Sequence, residues 1–382
     1  MSIVILDKSK CSGCHACYQA CPKKCITMAE DEEGFLYPSV DQTQCIECGL
    51  CTKVCPIINK REESDLFPVA YASYSLNKEV RKRSSSGGLF HVFAEYILDK
   101  GGMVFATTMS EDNKGAIHTK IQRKEELEKA RGSKYLQSIV GDTFAEIKNA
   151  LVKDTFVLYV GTPCQVEGLK AFLGKDYTNL FCFDFICHGV PSPKLWEMYL
   201  SDMESTNQTK AKEVSFRNKR YGWRLFSLSV DFEENKKYCK IHKEDSYMRF
   251  FLDNISLRPS CYDCSAKRAD RVSDLTLADF WSCRSLEPEL DDDKGISLVL
   301  VHSQKGQKLL DEVKTHLFLK EVDAKAVTER NTAFLHSPKM PTERESFMKD
   351  MNVLSYKELC KKYEKKLHLK TRIKLLLKKI SG

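Results

Sequence analysis

Cys11-Ser-Gly-Cys14-His-Ala-Cys17-Tyr-Gln-Ala-Cys21-Pro22 decides how this chain is read. The spacing returns in Cys45-Ile-Glu-Cys48-Gly-Leu-Cys51-Thr-Lys-Val-Cys55-Pro56. Three cysteines at this spacing wrap one face of an iron–sulfur cube. The fourth starts a helical turn and points away, toward a second cube. The two runs therefore predict two [4Fe–4S] clusters. Cys11, Cys14, Cys17 and Cys55 would hold one; Cys45, Cys48, Cys51 and Cys21 would hold the other. The proline after each run stops the chain from continuing regularly. The repeat reaches past the cysteines, because Asp7-Lys-Ser-Lys precedes Cys11 and Asp41-Gln-Thr-Gln precedes Cys45. A zinc site would use four ligands in two pairs, and disulfides would need an oxidising compartment. Cys25, the ninth cysteine of this stretch, reads as a small buried residue.

The 382 residues leave room for a large domain behind this module. A hydrophobic content of 42% is ordinary for a globular protein. No apolar run approaches the length of a membrane span, and the start of the chain is charged too soon for a signal sequence. These features predict a reduced, cytoplasmic setting. The net charge of +7 is local: residues 355–382 carry ten Lys/Arg against two Asp/Glu, a net of +8, and leave −1 for the rest. Nothing in that balance points to nucleic acid. Within the tail, Leu369, Ile373, Leu376, Leu377 and Ile380 recur at helical spacing. Such a basic helix can make peripheral contact with an anionic membrane. Its narrow apolar stripe favours packing on its own domain.

Residues 1–60 thus read as a small ferredoxin-like dicluster domain of α+β type. Residues 60–65, Lys-Arg-Glu-Glu-Ser-Asp, read as a linker. Beyond it, strands are predicted at 69–75 and 103–109 and helices at 89–100, 123–130 and 143–152. Phe156-Val-Leu-Tyr-Val160 is a buried strand running into Gly161-Thr-Pro-Cys164-Gln165 and a helix. Residues 180–186 repeat the plan, running into Cys187-His-Gly-Val-Pro-Ser192 and a second helix. Strand–loop–helix written twice favours parallel strands, so 66–340 reads as an α/β domain with a mostly parallel sheet core. Both loops would lie at the carboxyl edge, where open α/β sheets bind ligands. Residues 205–212 read as a loose polar segment, and 341–382 as a basic helical tail.

Cys164 and Cys187 sit on those two loops, and Cys261-Tyr-Asp-Cys264 supplies a C-x2-C hook. Four thiolates brought together suit a third [4Fe–4S] cluster or tetrahedral zinc. Cys182, Cys239, Cys283 and Cys360 lack such context and read as packing residues. Cubanes pass electrons singly, whereas a flavin can take them singly and deliver a hydride. A flavin pyrophosphate needs backbone N–H groups at a helix N-terminus. Ser85, Ser86, Gly87 and Gly88 open a predicted helix and offer that. Gly132, Ser133, Lys134 and Tyr135 add a hydroxyl, a cation and an aromatic face; Arg217, Lys219, Arg220 and Trp223 add charge and stacking. There is no G-x-G-x-x-G, so the Rossmann dinucleotide fingerprint is not supported.

Together these stretches resemble the family of coenzyme F420 hydrogenase/dehydrogenase beta subunits, with a 4Fe-4S dicluster ferredoxin domain fused in front. The residues carrying the resemblance are Ser85-Ser-Gly-Gly88, Gly132-Ser-Lys-Tyr135, Gly161-Thr-Pro-Cys-Gln165, Cys187-His-Gly-Val-Pro-Ser192, Phe216-Arg-Asn-Lys219 with Gly222-Trp223, Cys261-x2-Cys264, Ala278-Asp-Phe-Trp281 and Lys294-Gly-Ile-Ser297. The resemblance implies an FAD, with Thr162 added to the flavin-binding set, and favours a third [4Fe–4S] cluster, with a structural zinc site as the alternative. It also implies an iron–sulfur flavoprotein oxidoreductase. Electrons would come from ferredoxin or another donor protein and pass through the clusters to FAD. They would leave to an organic substrate or a coenzyme F420-like deazaflavin. The alternative is a non-catalytic electron-transfer subunit of a larger complex. Lys134 and His188 are the candidates for contact with flavin or substrate, with a general-acid role for His188.

Overall fold

A computed structural model describes residues 2–5, 7–365 and 375. The amphipathic stripe from Leu369 to Ile380 lies outside the described residues.

In the first module the sequence duplication is also conformational. The Asp7 carboxylate accepts from Ser9 N at 2.8 Å, and Asp41 accepts from Thr43 N at 2.9 Å. Gly13 and Glu47 both take positive φ, as do His15 and Gly49. Short helices then start at the equivalent places, Ala16–Ala20 and Leu50–Lys53. Between them Ile26–Glu30 and Leu36–Val40 form an antiparallel hairpin. The hairpin does not stand apart. Phe35 and Tyr37 are buried in one core with Trp196, Leu200, Phe216 and Phe250, while Ala16 packs with Phe144, Tyr159 and Leu169.

The stretch read as a linker is strapped down. Ser64 N donates to the Asp270 carboxylate at 2.9 Å, and the Arg268 guanidinium donates to the carbonyls of Arg61 and Glu62 at 2.8 and 2.6 Å. Arg268 and Arg61 hold the Asp270 carboxyl well below the usual carboxylate range, against the opposing effect of burial. Such a strap fixes the module's position on the large domain.

The large domain is built on a nine-stranded sheet. In spatial order its strands are Leu317–Val322, Val69–Ser75, Ser297–Val301, Leu275–Asp279, Leu180–Phe185, Val157–Val160, Met103–Met109, Ala116–Ile121 and Ser138–Ile139. The sheet is mixed, not mostly parallel. The four central strands, from Leu275–Asp279 to Met103–Met109, run parallel, and both flanks bring in antiparallel pairs. The reason is connection length. Met103–Met109 and Ala116–Ile121 are joined by six residues, too few for the crossover a parallel pair requires. The parallel centre follows from the two strand–loop–helix units at 157–207. Their strands are adjacent and in register from Val157↔Leu180 to Val160↔Phe183.

A second, three-stranded antiparallel sheet contains Ala211–Asn218, Ser227–Phe232 and Lys237–Ile241. The segment read as loose is mostly regular, since the helix from Pro193 runs on to Asn207 and the strand begins at Ala211. Two C-terminal helices, Arg344–Asp350 and Tyr356–Tyr363, bury Phe347, Met348, Tyr356 and Leu359 in the same core as Trp196. Among the described residues no helix is long and apolar enough to cross a membrane.

Candidate functional site

The module's cysteines divide between two cavities as the crossed spacing requires. One, of about 160 Å³, is lined by Cys11, Cys14, Cys17 and Cys55 together with His15 and Pro56. The other is lined by Cys21, Cys45, Cys48 and Cys51. Each fourth cysteine lies with the three of the opposite run. Cys25 also lines the second cavity, and its Sγ is 3.4 Å from that of Cys21. Spacing could not show that proximity. Burial pushes the Cys14 thiol up to about 12. A bare thiolate there would be unstable; a bound cation deprotonates a coordinating thiol outright.

Cys164, Cys187, Cys261 and Cys264 come together although they span 101 positions of sequence. Burial raises the Cys164 thiol well above its ordinary value, with Cys264, Cys187 and Cys261 close enough to raise it further. Burial likewise takes Cys187 to about 11 and Cys261 to about 12. Thr162 Oγ1 lies 3.1 Å from Cys164 Sγ, and Val190 N donates to Cys261 Sγ at 3.4 Å. The Lys267 ammonium, donating to the carbonyls of Cys187 and Ala333 at 2.7 and 2.8 Å, supplies a cation beside the set. Among the described residues no three His, Cys, Asp or Glu side chains are gathered tightly enough for a single metal ion.

Helix Pro163–Leu173 connects the first cavity to this set. Cys164 sits in its first turn. Four residues on, about 6 Å along the axis, Gly168 touches Cys14. A Cβ at Gly168 would lie 2.9 Å from both Cβ and Sγ of Cys14, so only glycine permits this approach. Tyr159 packs beneath the junction. Its hydroxyl is buried without a hydrogen-bond partner among the described residues, and both Cys164 and Cys14 lie near enough to affect it. Arg258 spans the other side. Fully buried, it donates to Cys11 O at 2.8 Å, Gln137 Oε1 at 2.9 Å and Leu36 O at 3.0 Å, and it also acts electrostatically on Cys261. Among the described residues it has no carboxylate partner. A buried guanidinium without one fits a position between two anionic groups. No motif in the chain marks Arg258.

Beyond Cys187 opens a cleft of about 730 Å³. Ser85, Ser86, Gly88, Gly132, Ser133, Lys134, Tyr135, Thr162, His188 and Arg217 line it. The loops are clasped together, since Ser133 N and Oγ lie 2.8 and 3.0 Å from Ser85 Oγ. Gly88, Leu89 and Phe90 bring the start of helix Leu89–Asp99 to the wall. Arg217 is the hub. It forms a bidentate pair with Asp279 at 2.7 and 3.0 Å and donates to Tyr135 Oη at 3.1 Å and Ser85 O at 3.2 Å. Its face covers the rings of Phe226 and Trp281 at 4.2 and 5.1 Å. Replacing Asp279 with alanine strands this buried cation. The variant should lose about 3–5 kcal/mol of stability, read from its denaturant midpoint against the parent.

Three residues expected at the cleft lie behind it. Gly87 is packed against strand Val69–Ser75, where a Cβ would come 2.6 Å from Ser73 O. Lys219 turns away and clasps the carbonyls of Arg81, Ser86 and Lys294 at 2.7–2.8 Å. Trp223 is buried, donates to Asp279 Oδ1 at 2.8 Å and stacks at 4.7 Å on Trp281. Trp281 is the ring that faces the cleft. The quoted Ala278-Asp-Phe-Trp281 stretch contained both missed residues, Asp279 and Trp281. Lys134 donates to the carbonyls of Ala130, Arg131 and Gly132. Burial pulls its ammonium down to about 7, while those acceptors favour the charged form. Burial lowers the His188 imidazole below its ordinary value, and Nε2 lies 2.6 Å from Asn254 Oδ1.

Known proteins share this arrangement of segments. Residues 10–57 match a 4Fe-4S dicluster domain. Residues 70–142 match the N-terminal part, and 154–326 the C-terminal part, of the coenzyme F420 hydrogenase/dehydrogenase beta subunit. The coenzyme F420-dependent sulfite reductase of Methanocaldococcus jannaschii is 22% identical over 324 residues, 84% of this chain and 48% of that protein. A component of the F(420)H(2) dehydrogenase of Methanosarcina mazei is 23% identical over 54% of this chain and 64% of its own length. The chain thus spans about half to two thirds of these relatives. A chain of the F420-reducing [NiFe] hydrogenase complex from Methanosarcina barkeri aligns over 79% of this chain and 94% of its own, at 14% identity and a TM-score of 0.47. With both of its characteristic regions matched behind a dicluster domain, the chain is an iron–sulfur protein belonging to the family of coenzyme F420 hydrogenase/dehydrogenase beta subunits.

Proposed function

We propose that this chain is an iron–sulfur flavoprotein oxidoreductase. A ferredoxin-type donor would feed it through the dicluster module, and the cleft would hold FAD beside an organic substrate or a deazaflavin carrier. Bound there, the clusters would supply one-electron transfer, and the flavin would exchange single electrons for a hydride. The observation that carries this reading is continuity. Cys14 of the first cavity meets Gly168, Cys164 lies one turn away, and Cys187, grouped with Cys164, lines the cleft.

The residues divide the work. The two crossed cysteine sets would hold the twin clusters, and Cys164, Cys187, Cys261 and Cys264 a third, with Lys267 and Arg258 offsetting its negative charge. The N–H groups opening helix Leu89–Asp99 and the hydroxyls of Ser85 and Ser133 suit a pyrophosphate. Arg217 fixes the loops around it. Trp281 presents a flat apolar face, and Phe251 and Leu252 add apolar lining near His188. The polar wall of Ser85, Ser133, Lys134, Lys243 and Arg330 favours a substrate pocket over a sealed electron-transfer chamber.

Anaerobic purification with iron, sulfide and flavin analysis tests the reading. The expected load is about twelve irons and one FAD per chain; about eight irons and no flavin would refute it, eight being the twin-cluster load alone.

A further inference from the structure

The module is a duplication, and His15 is one place where its halves differ in chemistry. The offset of 34 residues that carries Cys11 to Cys45 carries His15 to Gly49. Both residues cap the helix of their unit in the left-handed region, with φ of 67° and 72°. Glycine occupies that region freely, whereas any residue with a Cβ enters it less often, histidine more readily than most. The first unit therefore keeps a side chain at a position where the second does without one.

That side chain is only 3% exposed, and neither Nδ1 nor Nε2 has a hydrogen-bond partner among the described residues. Buried polar groups are nearly always satisfied. His15 is among the residues lining the cavity shared by Cys11, Cys14, Cys17 and Cys55, which points to what satisfies its ring. The second cavity differs in kind, since its Cys48 is exposed and water can reach sulfur there.

We propose that His15 donates a ring N–H to a sulfur of the first [4Fe–4S] cluster and thereby sets that cluster's potential apart from its twin's. The proposal rests on the twin-cluster reading. Hydrogen bonds to sulfur and solvent exposure both tune such potentials. A reduced cluster carries one more negative charge, which a donor favours. Burial of the first cluster would lower its potential and make the inward step from the exposed cluster uphill. The His15 N–H offsets that loss. His15 is thus a positioning residue for an electron, and no proton need leave it.

The test is an EPR-monitored redox titration of the full chain, comparing the parent with His15→Gly and His15→Asn. Glycine restores what the second unit has and relieves the backbone, so the fold should persist. Asparagine tolerates the left-handed region and keeps an N–H donor. In His15→Gly one of the two dicluster waves should move down, with its reduced-to-oxidised ratio at fixed poise falling about tenfold, about 59 mV for one electron. The other wave should stay, and His15→Asn should recover most of the shift. Two unmoved waves in His15→Gly, or equal shifts of both, would overturn the proposal. If glycine prevents loading, an Asn variant with the same loss of potential as any non-donor would overturn it too. A parent chain without about eight irons at the twin sites would overturn the underlying cluster reading instead.

Discussion

Replacing Cys164 with alanine should remove about four of about twelve irons and disconnect the dicluster module from the cleft. Cys164 is the member of its set on helix Pro163–Leu173, the element that also carries Gly168 against Cys14. Its loss would leave Cys187, Cys261 and Cys264 with three thiolates for a cube that needs four. The twin sites would be untouched, since their cysteines line separate cavities. Cys182 provides the control. It is fully buried but lies within strand Leu180–Phe185, so Cys182→Ala should retain all the iron. Equal iron in the two variants and the parent would remove Cys164 from the ligand set.

Arg258→Ala should loosen the module from the large domain. The side chain satisfies two backbone carbonyls of the module, Cys11 O and Leu36 O, and the amide oxygen of Gln137, and it covers the ring of Tyr37 at 4.1 Å. Each buried acceptor left unpaired costs about 1–3 kcal/mol, so a total loss of about 3 kcal/mol or more is expected. Hydrogen exchange should report it locally, with amides of hairpin 26–40 losing protection before those of the central strands. Arg258→Lys should rescue little, because one ammonium cannot span three acceptors that a planar fork reaches. Unchanged protection in Arg258→Ala would mean that the core contacts of Phe35 and Tyr37 suffice alone.

Much of this was legible in the chain. The cysteine runs dictated the crossed grouping, because spacing and helix geometry leave few alternatives. Strands Val69–Ser75 and Met103–Met109 fall where their sequences predict, being apolar and bounded by clear turn signals. The paired loops at 161–164 and 187–192 were readable because buried strands lead into each. The sheet's flanks were not. Ala116–Ile121 carries His118 and Lys120, so its apolar pattern is weak, and its pairing depends on a neighbour rather than on its own sequence. Lys219 and Trp223 lie near the cleft but not in it. A motif tells which residues gather, not which of two stacked rings faces outward. Arg258 and the Asp270 strap were invisible because partners such as Cys11 and Ser64 lie more than two hundred positions away. His15 looks like a filler between ligands in the sequence; only the fold shows its nitrogens unpaired among the described residues.

Rapid mixing tests the central claim most directly. The full chain, loaded anaerobically, is mixed with a chemically reduced ferredoxin, and cluster and flavin absorbance are followed together. The account predicts that the twin clusters are reduced first and that the flavin bleaches in the same chain without any added partner protein. Clusters that are reduced while the flavin stays oxidised would contradict it.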